Sequence, residues 1–433
     1  MQDSAAVLPS VSALNEARGA FEAERLLAPA QALARYFGTV ALPKPRRETV
    51  PLDAAYGRIA ASDVVAREDH PGFARSTMDG YAVASVAARA GARLRVTGEI
   101  RMGAAPPHAI APHETLRIPT GGALPGGADA VVPQEDVARD GDAIVLRDAV
   151  AARACITSRG DDIGCDETLF PAGRRIGAPE LAVLATLGYA RVEVYARPRV
   201  AIVSTGDELV DPARTPGIGQ VRDSNRYALG GALLALGIEP VHVAGVADDE
   251  RAVAVALHEA LESCDGILLT GGSSVGAHDV VPRAIARLGE PGIVVHGLRV
   301  KPGKPTLLGA ARGKPVIGLP GNPASALTIC EAVVRPILQM LSGERITPPM
   351  AYEAIADAAF TGRLGWTWYV PARMTLRGTR LHATPLPLRS AHASLLARAG
   401  GYAMLGENDA RIEVGGMVRI FPFLAGGAPV EVA

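Results

Sequence analysis

The fold class of this 433-residue chain is decided by the stretch Arg199-Val-Ala-Ile-Val-Ser-Thr-Gly-Asp-Glu-Leu209. Its apolar run, Val200 to Val203, is uninterrupted, and such a run predicts a strand buried on both faces of a parallel sheet. In these sheets ligands bind beyond the carboxyl ends of the strands. Asp207 and Glu208 follow the strand directly, so we expect them at that edge, where they suit a metal ion or phosphate chemistry. Taken alone, the motif slightly favours a capped turn that carries two solvated acids.

Strands and helices alternate around this stretch, over residues 198–345. The strand candidates are 199–204, 239–244, 265–270, 305–309 and 315–319, and the helix candidates are 223–236, 249–263, 279–288 and 323–341. Asp223, and either Asp248 or Asp249, are candidate helix N-caps because a carboxylate there accepts from free backbone N–H groups. The alternation predicts an α/β domain with a mostly parallel sheet.

The rest of the chain predicts three further domains and a tail. Glycine and proline are frequent over residues 65–159, and the apolar segments 93–97 and 128–132 have the length of strands. This pattern predicts a β-rich insert domain. The remaining predictions are a tail over 1–27, a mixed linker domain from 28–64 and 160–197, and a C-terminal β domain over 346–433. Two helices are predicted near the start of the chain, at 22–37 and 49–61. The predicted fold class is therefore multidomain α/β plus β, with a barrel-like C-terminal domain.

The composition of the chain argues against several classes of protein. The formal net charge of -1 gives no global field that would favour nucleic acid or a membrane surface. The four cysteines form no C-x-x-C pair, which argues against a zinc site and fits reduced thiols. No signal peptide is evident, and no apolar segment reaches the roughly 20 residues that span a bilayer. We expect a soluble, cytoplasmic protein.

Three more motifs are expected at the same edge of the sheet, each at the carboxyl end of a strand. Glycine turns and helix N-termini bind phosphate through backbone N–H groups, and two lysines on a stiff turn attract an anion. Each motif alone could equally be a capped helix or a surface turn. The motifs are Leu268-Leu-Thr-Gly-Gly-Ser-Ser-Val-Gly276 with His278-Asp279, Lys301-Pro-Gly-Lys-Pro305, and Leu319-Pro-Gly-Asn-Pro-Ala-Ser325. Together they predict a site for a phosphate-bearing ligand assisted by a metal.

In this order, the motifs resemble those of the molybdenum insertase family of molybdenum cofactor synthesis, which includes the C-terminal domain of gephyrin. The resemblance covers about residues 28 to 430. Besides the stretches already quoted, the matching pieces are Ser76-Thr-Met-Asp-Gly-Tyr-Ala-Val83, Ile118-Pro-Thr-Gly-Gly122, Arg159-Gly-Asp-Asp-Ile163 and Asp223-Ser-Asn225.

The resemblance implies a homodimeric transferase whose active site combines the α/β domain of one subunit with the β-rich domain of its partner. The implied reaction takes adenylylated molybdopterin and molybdate to molybdenum cofactor and AMP, with Mg²⁺ assisting cleavage of the pyrophosphate. The molybdopterin adenylyltransferase and recipient molybdoenzymes are further implied partners.

Site residues follow from the resemblance, motif by motif. The implied catalytic residues are Glu208, Asp79, Asp279, Lys301 and Lys304. The implied substrate-binding residues are Thr120, Asp162, Gly271, Gly272, Ser273, Ser274, Gly276, Pro320, Gly321, Asn322 and Ser390. The implied metal ligands are Glu208, Asp248, Asp249 and Asp279. Of these, Asp79, Thr120 and Asp162 would come from the partner subunit.

One departure from the family pattern leaves an alternative open. The family carries Gln-Gly-Ser-Gly near the oxyanion end of the site, and here the segment is Leu388-Arg-Ser-Ala391. A non-catalytic paralogue that binds molybdopterin or cofactor as a carrier or regulator is therefore the alternative function. An adenylyltransferase acting one step earlier is a third interpretation, and the additional N- and C-terminal domains argue against it.

Overall fold

The computed structural model describes residues 26–271, 280–387, 391–424, 426 and 430–432. The chain divides into two compact units. The first unit comprises the residues up to 48, residues 57–59 and those from 195 onward, and the second comprises residues 49–56 and 60–194.

A six-stranded sheet forms the centre of the first unit. In spatial order its strands are Glu239–Val246, Arg199–Thr205, Gly266–Thr270, Lys314–Leu319, Leu307–Ala311 and Pro291–His296. The first four strands are parallel, and Leu307–Ala311 is antiparallel to both of its neighbours. The five predicted strands are thus confirmed, whereas Pro291–His296 was not predicted.

Helices cover both faces of this sheet, as the uninterrupted apolar run of its second strand requires. The helices are Asn225–Ala235, Glu250–Ser263, Val280–Ala286, Pro323–Ile329, Cys330–Val334 as a π-helical turn, and Arg335–Leu341. Val200 and Ile202 pack in one core while Ala201 and Val203 pack in the other, and all four are almost fully buried. The alternation of side chains along the strand therefore supplies both cores.

The last three helical segments run on as one apolar helix, Pro323–Leu341. The helix is 19 residues long and an 18-residue window of it has a mean hydropathy of 1.3, so its length and composition would suffice to cross a membrane. However, 78% of that window is buried inside the protein, which is typical of a core helix. The helix ahead of the sheet, Pro29–Thr39, begins later than the predicted 22–37 because Ala28, which precedes Pro29, is extended. Residues 22–25 lie outside the described part.

A closed five-stranded barrel completes the first unit. Its strands, in order around the ring, are Thr367–Arg377, Arg380–Pro385, Tyr352–Ala356, Met417–Pro422 and Gly401–Leu405. Shorter elements beside it are Val300–Lys301, Glu431–Val432, Phe360–Thr361, Arg411–Ile412 and the helix Ser394–Arg398. Tyr369, Tyr402 and Phe421 share a core with the helix Pro323–Leu341, so barrel and α/β layers are packed together. The barrel-like prediction is confirmed.

The second unit is rich in short strands. Its six-stranded sheet has the order Ala130–Pro133, Gly80–Val83, Glu114–Ile118, Arg93–Glu99, Ala143–Leu146 and Val137–Asp140. The other elements are Val64–Val65, Arg75–Ser76, Ile156–Thr157, Thr168–Phe170, the helix Ala178–Thr186, and the 3-10 turns Leu52–Ala54, Ser85–Ala87 and Gln134–Asp136. The strands Arg47–Pro51 and Arg191–Tyr195 lie at the boundary of the two units.

The predicted helix over residues 49–61 is wrong. Only the single turn Leu52–Ala54 is helical, after a strand that ends at Pro51. Gly57 has a φ of +72°, a left-handed conformation that an α-helix does not contain. The domain boundaries given by the sequence stay predictions.

Candidate functional site

The turn after the strand Arg199–Thr205 brings an acid back over the end of the sheet. Thr205 is buried, and its Oγ1 donates to the Thr270 carbonyl at 3.3 Å. Gly206 follows with a φ of +146°, and a Cβ at this position would lie 2.4 Å from Oε2 of Glu208. The Glu208 carboxylate therefore lies against the Gly206 backbone, whose positive φ favours glycine.

Backbones of three predicted motifs converge at this edge. Gly271 has a φ of +101°, and a Cβ there would lie 2.2 Å from the Thr205 carbonyl oxygen. A Cβ on Gly321 would lie 3.7 Å from the Cα of Gly271. Pro320 and Asn322 flank Gly321, and Asn322 is the N-cap residue of the following helix. The structure thus brings together the turns after three parallel strands, as predicted.

Asn225, which has no role among the predicted site residues, connects a fourth element to these turns. Its Nδ2 donates to the Gly321 carbonyl at 2.7 Å. Its Oδ1 is buried and has no hydrogen-bond partner among the described residues. Nearby, the Asp223 carboxylate accepts from the backbone N–H of Arg226 at 3.1 Å, a cap-like contact for the helix Asn225–Ala235. The Asp-Ser-Asn triplet is the signal that identifies Asn225 in the sequence.

The four acids near the strand end differ in their partners. Asp207 accepts from the backbone N–H of Asp248 at 3.3 Å, so it connects the turn to the next loop. Asp249 is the N-cap of the helix Glu250–Ser263 and accepts from the N–H groups of Arg251 and Ala252 at 2.9 and 3.2 Å. The Glu208 side chain makes no hydrogen bond or ion pair within the described part of the chain. Asp248 and Glu208 are therefore more available to a metal than Asp249.

The lysine motif reaches the same edge by a route the sequence did not predict. It follows the carboxyl end of Pro291–His296 and precedes Leu307–Ala311, the antiparallel strand. Thr306 fixes the loop, because its Oγ1 donates to the Gly303 carbonyl at 2.7 Å.

The same loop packs on the apolar helix of the preceding motif. A Cβ on Gly303 would lie 2.2 Å from Cγ1 of Ile329 in that helix. The Lys301–Pro302 peptide is cis, and Lys301 is exposed while Lys304 is half-buried. The loop is thus held closely while its two side chains stay accessible.

In the second unit, Asp79 and Thr120 are in direct contact. The Asp79 Oδ1 accepts from the Thr120 backbone N–H at 2.7 Å and from its hydroxyl at 2.9 Å. These two hydrogen bonds, the backbone one first, hold the pKa of Asp79 below its ordinary value. Asp79 is therefore a fixed, ionised carboxylate at neutral pH.

Asp162 lies in a different loop of the second unit. Its carboxylate is 3.8 Å from Nε2 of His70, and its backbone N–H donates to the His70 carbonyl at 3.1 Å. In the same loop, Arg159 donates to Asp69 at 2.7 Å, and the Cys165 backbone N–H donates to Asp69 at 2.9 Å. These contacts, that of Cys165 first, hold the pKa of Asp69 below its ordinary value. The loop is thus tied to residues 69–71, a connection that no motif signalled.

Six predicted site residues lie outside the described residues. They are Gly272, Ser273, Ser274, Gly276, Asp279 and Ser390. Among the remaining residues, no group of three or more His, Cys, Asp or Glu side chains is placed to hold a metal ion. The described acids by themselves therefore offer at most a partial ligand set.

Comparison with known proteins gives the family. Residues 27–188 match the family described as MoeA N-terminal region (domain I and II), and residues 201–340 match the probable molybdopterin binding domain. The molybdopterin molybdenumtransferase of Nostoc sp. is 35% identical over 304 residues, 68% of this chain and 70% of that protein. Molybdopterin molybdenumtransferase 2 of Mycobacterium tuberculosis is 31% identical over 382 residues, 86% and 94% of the two chains.

Solved structures agree with this assignment. Two structures of the molybdopterin biosynthesis protein MoeA from Pyrococcus horikoshii superpose with TM-scores of 0.77 and 0.80, at 31% and 25% identity. Each covers 92% of this chain, and 99% and 100% of the respective solved chain. Sequence and structure therefore agree over nearly all of the chain. The chain belongs to the molybdopterin molybdenumtransferase family, the transferases of molybdenum cofactor biosynthesis.

Proposed function

We propose that this protein inserts molybdenum from molybdate into adenylylated molybdopterin, releasing AMP and forming molybdenum cofactor in the cytoplasm. The observation that carries the proposal is the convergence of the Gly206, Gly271 and Gly321 backbones at one edge of the sheet, beside a Glu208 carboxylate that has no hydrogen-bond partner among the described residues. Family membership supplies the reaction class, and this edge supplies the groups that such a reaction needs.

The glycine turns are suited to a phosphate. Without side chains at Gly271 and Gly321 the turns can approach each other closely, since a Cβ on Gly271 would lie 2.2 Å from the Thr205 carbonyl oxygen and one on Gly321 would lie 3.7 Å from the Cα of Gly271. Glycine turns at the ends of strands bind phosphate through their backbone N–H groups. The Oδ1 of Asn225 is a buried acceptor without a partner in the described part of the chain, which a ligand with N–H donors would satisfy. A pterin carries such donors and, in molybdopterin, a phosphate as well.

The lysine loop is suited to the anionic groups of both substrates. Lys301 and Lys304 carry the only two ammonium groups of this loop, and the contacts of Thr306 and Gly303 hold the loop in place. Positive charge placed where negative charge develops stabilises the transition state of phosphoryl cleavage. We assign to these lysines the binding of the pyrophosphate and of molybdate.

Glu208 is the proposed catalytic carboxylate. Since it has no hydrogen-bond donor of its own among the described residues, it can orient a water molecule or a molybdate oxygen for attack on a pyrophosphate phosphorus. The attacking oxygen forms a bond to the adenylate phosphorus, the bond from that phosphorus to the bridging oxygen breaks, and the bridging oxygen stays on the phosphate of molybdopterin. With water as the nucleophile, one proton passes to Glu208 and AMP leaves with the oxygen of that water.

A divalent cation fits the acids that surround this turn. Mg²⁺ binds through few carboxylates together with water and substrate phosphate oxygens, rather than in an all-protein cage. Glu208 and Asp248 would hold it, with Asp279 as a further candidate outside the described residues, while Asp249 is engaged as a helix cap. When bound, the ion would neutralise charge on the pyrophosphate.

Asp79 and Thr120 are proposed to act from the partner subunit of a homodimer. Their mutual hydrogen bonds fix an ionised carboxylate and a hydroxyl on a rigid turn, which suits orientation of a substrate rather than proton transfer. Asp162 is assigned to substrate binding on the same side.

One assay tests the proposal against its alternatives. The purified protein is mixed with Mg²⁺, molybdate and adenylylated molybdopterin, and AMP and active cofactor are both measured. The proposal predicts both products. Tight binding of molybdopterin with neither product would establish a carrier instead, and formation of adenylylated molybdopterin from ATP would establish an adenylyltransferase.

A further inference from the structure

The ammonium group of Lys301 lies over the face of an indole ring, with its Nζ 4.8 Å from the centroid of the Trp368 ring. We propose that Trp368 is a positioning residue, which holds this ammonium where a substrate oxyanion meets it. The inference rests on the function proposed for Lys301. A cation over an aromatic face is attracted by the negative face of the ring, and a tryptophan ring attracts it most strongly.

Backbone pairing holds the two residues in register. The short strand Val300–Lys301 pairs in parallel with the barrel strand Thr367–Arg377, and Lys301 is opposite Trp368. The Thr367 backbone N–H donates to the Arg299 carbonyl at 3.0 Å. Arg299 in turn donates to the Glu407 carboxylate at 2.6 Å. The lysine and the ring are therefore placed together by the chain itself, before any side-chain attraction acts.

The indole ring is anchored by packing. Trp368 packs against the buried core of the barrel, whereas its strand neighbour Tyr369 packs in the core shared with the apolar helix. The Trp368 Nε1 is buried and finds no hydrogen-bond acceptor in the described ranges. The ring is therefore fixed through its apolar surface, and the face that meets Lys301 is its polar contact.

The scarcity of lysine gives this pair more weight. The chain has 44 basic residues but only four lysines, namely Lys44, Lys301, Lys304 and Lys314. An ammonium is a compact point charge on a flexible stem, whereas a guanidinium is a planar fork. Such a charge needs an external restraint to stay in one place, and the Trp368 ring provides it.

Acylation of lysine amines tests the contact without any turnover. The labelling rates of Lys301 and Lys44 are measured by mass spectrometry in the full-length protein, with the exposed Lys44 as the internal reference. Replacing Trp368 with Leu should raise the relative rate of Lys301 about two- to tenfold, because the ring no longer shields the amine. Trp368→Phe, which keeps a ring, should stay near the unchanged protein, and Trp368→Met serves as a second ring-less variant. An unchanged Lys301 rate in both ring-less variants would overturn the proposal.

The other tryptophan is the matched control. Trp366 lies under the guanidinium of Arg363, with 5.5 Å from Cζ to the ring centroid, two residues earlier in the same segment. Trp366→Leu removes a ring and a cation–π pair of the same kind, yet it should leave the Lys301 labelling rate unchanged. A rise equal to that of Trp368→Leu would show general loosening of the barrel and would overturn the positioning role.

Steady-state kinetics then show whether the position of the Lys301 ammonium group affects the reaction. Trp368→Leu should raise the KM for molybdate or lower kcat about two- to tenfold, with Trp368→Phe close to the unchanged protein. The same change made in a Lys301→Met background should have no further effect, since the two residues act as one unit. Equal losses in both backgrounds would contradict the proposal. If the unchanged protein releases no AMP, the proposed function fails, while the labelling result still decides the contact.

Discussion

Two acids next to glycines behave differently in the two units of this protein. Asp79 precedes Gly80 and accepts from two donors of Thr120, at 2.7 and 2.9 Å. Glu208 follows Gly206 closely, lies against its backbone, and has no donor among the described residues. A short acid-and-glycine turn thus produces a fixed carboxylate in one unit and an available one in the other. The neighbouring loop, rather than the turn itself, therefore determines whether the acid is available for catalysis or is held in place to orient a substrate.

The largest effect is expected at the available acid. Glu208→Gln should lower turnover about a hundredfold or more, because an amide cannot act as a base toward the attacking oxygen and brings no negative charge to a cation. The fold should be unaffected, since the side chain makes no hydrogen bond within the described residues. Glu259→Gln, an exposed acid on the helix Glu250–Ser263, is the matched control and should retain full turnover. Normal AMP release by Glu208→Gln would remove its proposed role.

A smaller loss is expected at the fixed acid. Asp79→Asn should lower kcat/KM about tenfold, because the amide can still accept one hydrogen bond from Thr120 but no longer carries charge. The loss should fall mainly on the KM for adenylylated molybdopterin if Asp79 orients the substrate. A loss as great as that of Glu208→Gln, confined to kcat, would instead assign proton transfer or metal binding to Asp79.

The hydroxyl of Thr120 contributes, after the backbone N–H of the same residue, to the lowered pKa of Asp79. The pKa of Asp79 is lowered in the folded protein, so the stabilisation by its hydrogen bonds is present above the ordinary pKa and lost as pH falls through the lowered one. Thr120→Val removes the hydroxyl donor but keeps the backbone N–H. The acidic limb of the pH–rate profile should therefore move to higher pH, while Thr120→Ser keeps the profile of the unchanged protein. A profile of Thr120→Val that coincides with that of Thr120→Ser would show that the hydroxyl does not tune Asp79.

The smallest effect on turnover is expected at Asp249. Because its carboxylate caps the helix Glu250–Ser263, Asp249→Ala should lower the free energy of unfolding by about 0.5–2 kcal/mol, and turnover should remain near normal. Asp248→Asn should instead leave the free energy of unfolding nearly unchanged and weaken the dependence of turnover on Mg²⁺. Denaturant unfolding and a Mg²⁺ titration of turnover measure both. An Asp249→Ala variant that is as stable as the unchanged protein but inactive would contradict these assignments and make Asp249, rather than Asp248, the metal ligand.

Much of the α/β domain could be predicted from the sequence. The apolar run Val200 to Val203 requires burial on both faces, and alternating helices then predict a parallel sheet. The strand Pro291–His296 was missed because Pro291, Gly292 and Gly289 resemble a loop. As a result, the lysine motif was expected after a parallel strand, although it lies between two strands that are antiparallel to each other.

The site was predictable where motifs follow strands and unpredictable where contacts are long-range. The convergence of Gly206, Gly271 and Gly321 follows from the topology of a parallel sheet. In contrast, the choice of Asp249 over Asp248 as the cap depends on backbone geometry at the helix start. The pairing of Lys301 with Trp368 spans 67 positions and depends on how a barrel strand adds to a two-residue strand. No local pattern contains that information.

In the proposed dimer each active site is built from two subunits, and mixed dimers of two variants test this arrangement. Glu208→Gln and Asp79→Asn subunits carrying different tags are co-expressed, and dimers that contain one of each are purified. Because a twofold dimer has two equivalent sites, a mixed dimer should hold one intact site, with Glu208 from one subunit and Asp79 from the other. A shared site predicts that these mixed dimers release AMP at about half the rate of the unchanged dimer, although each variant alone is impaired. Activity no higher than the mean of the two parent variants would contradict it.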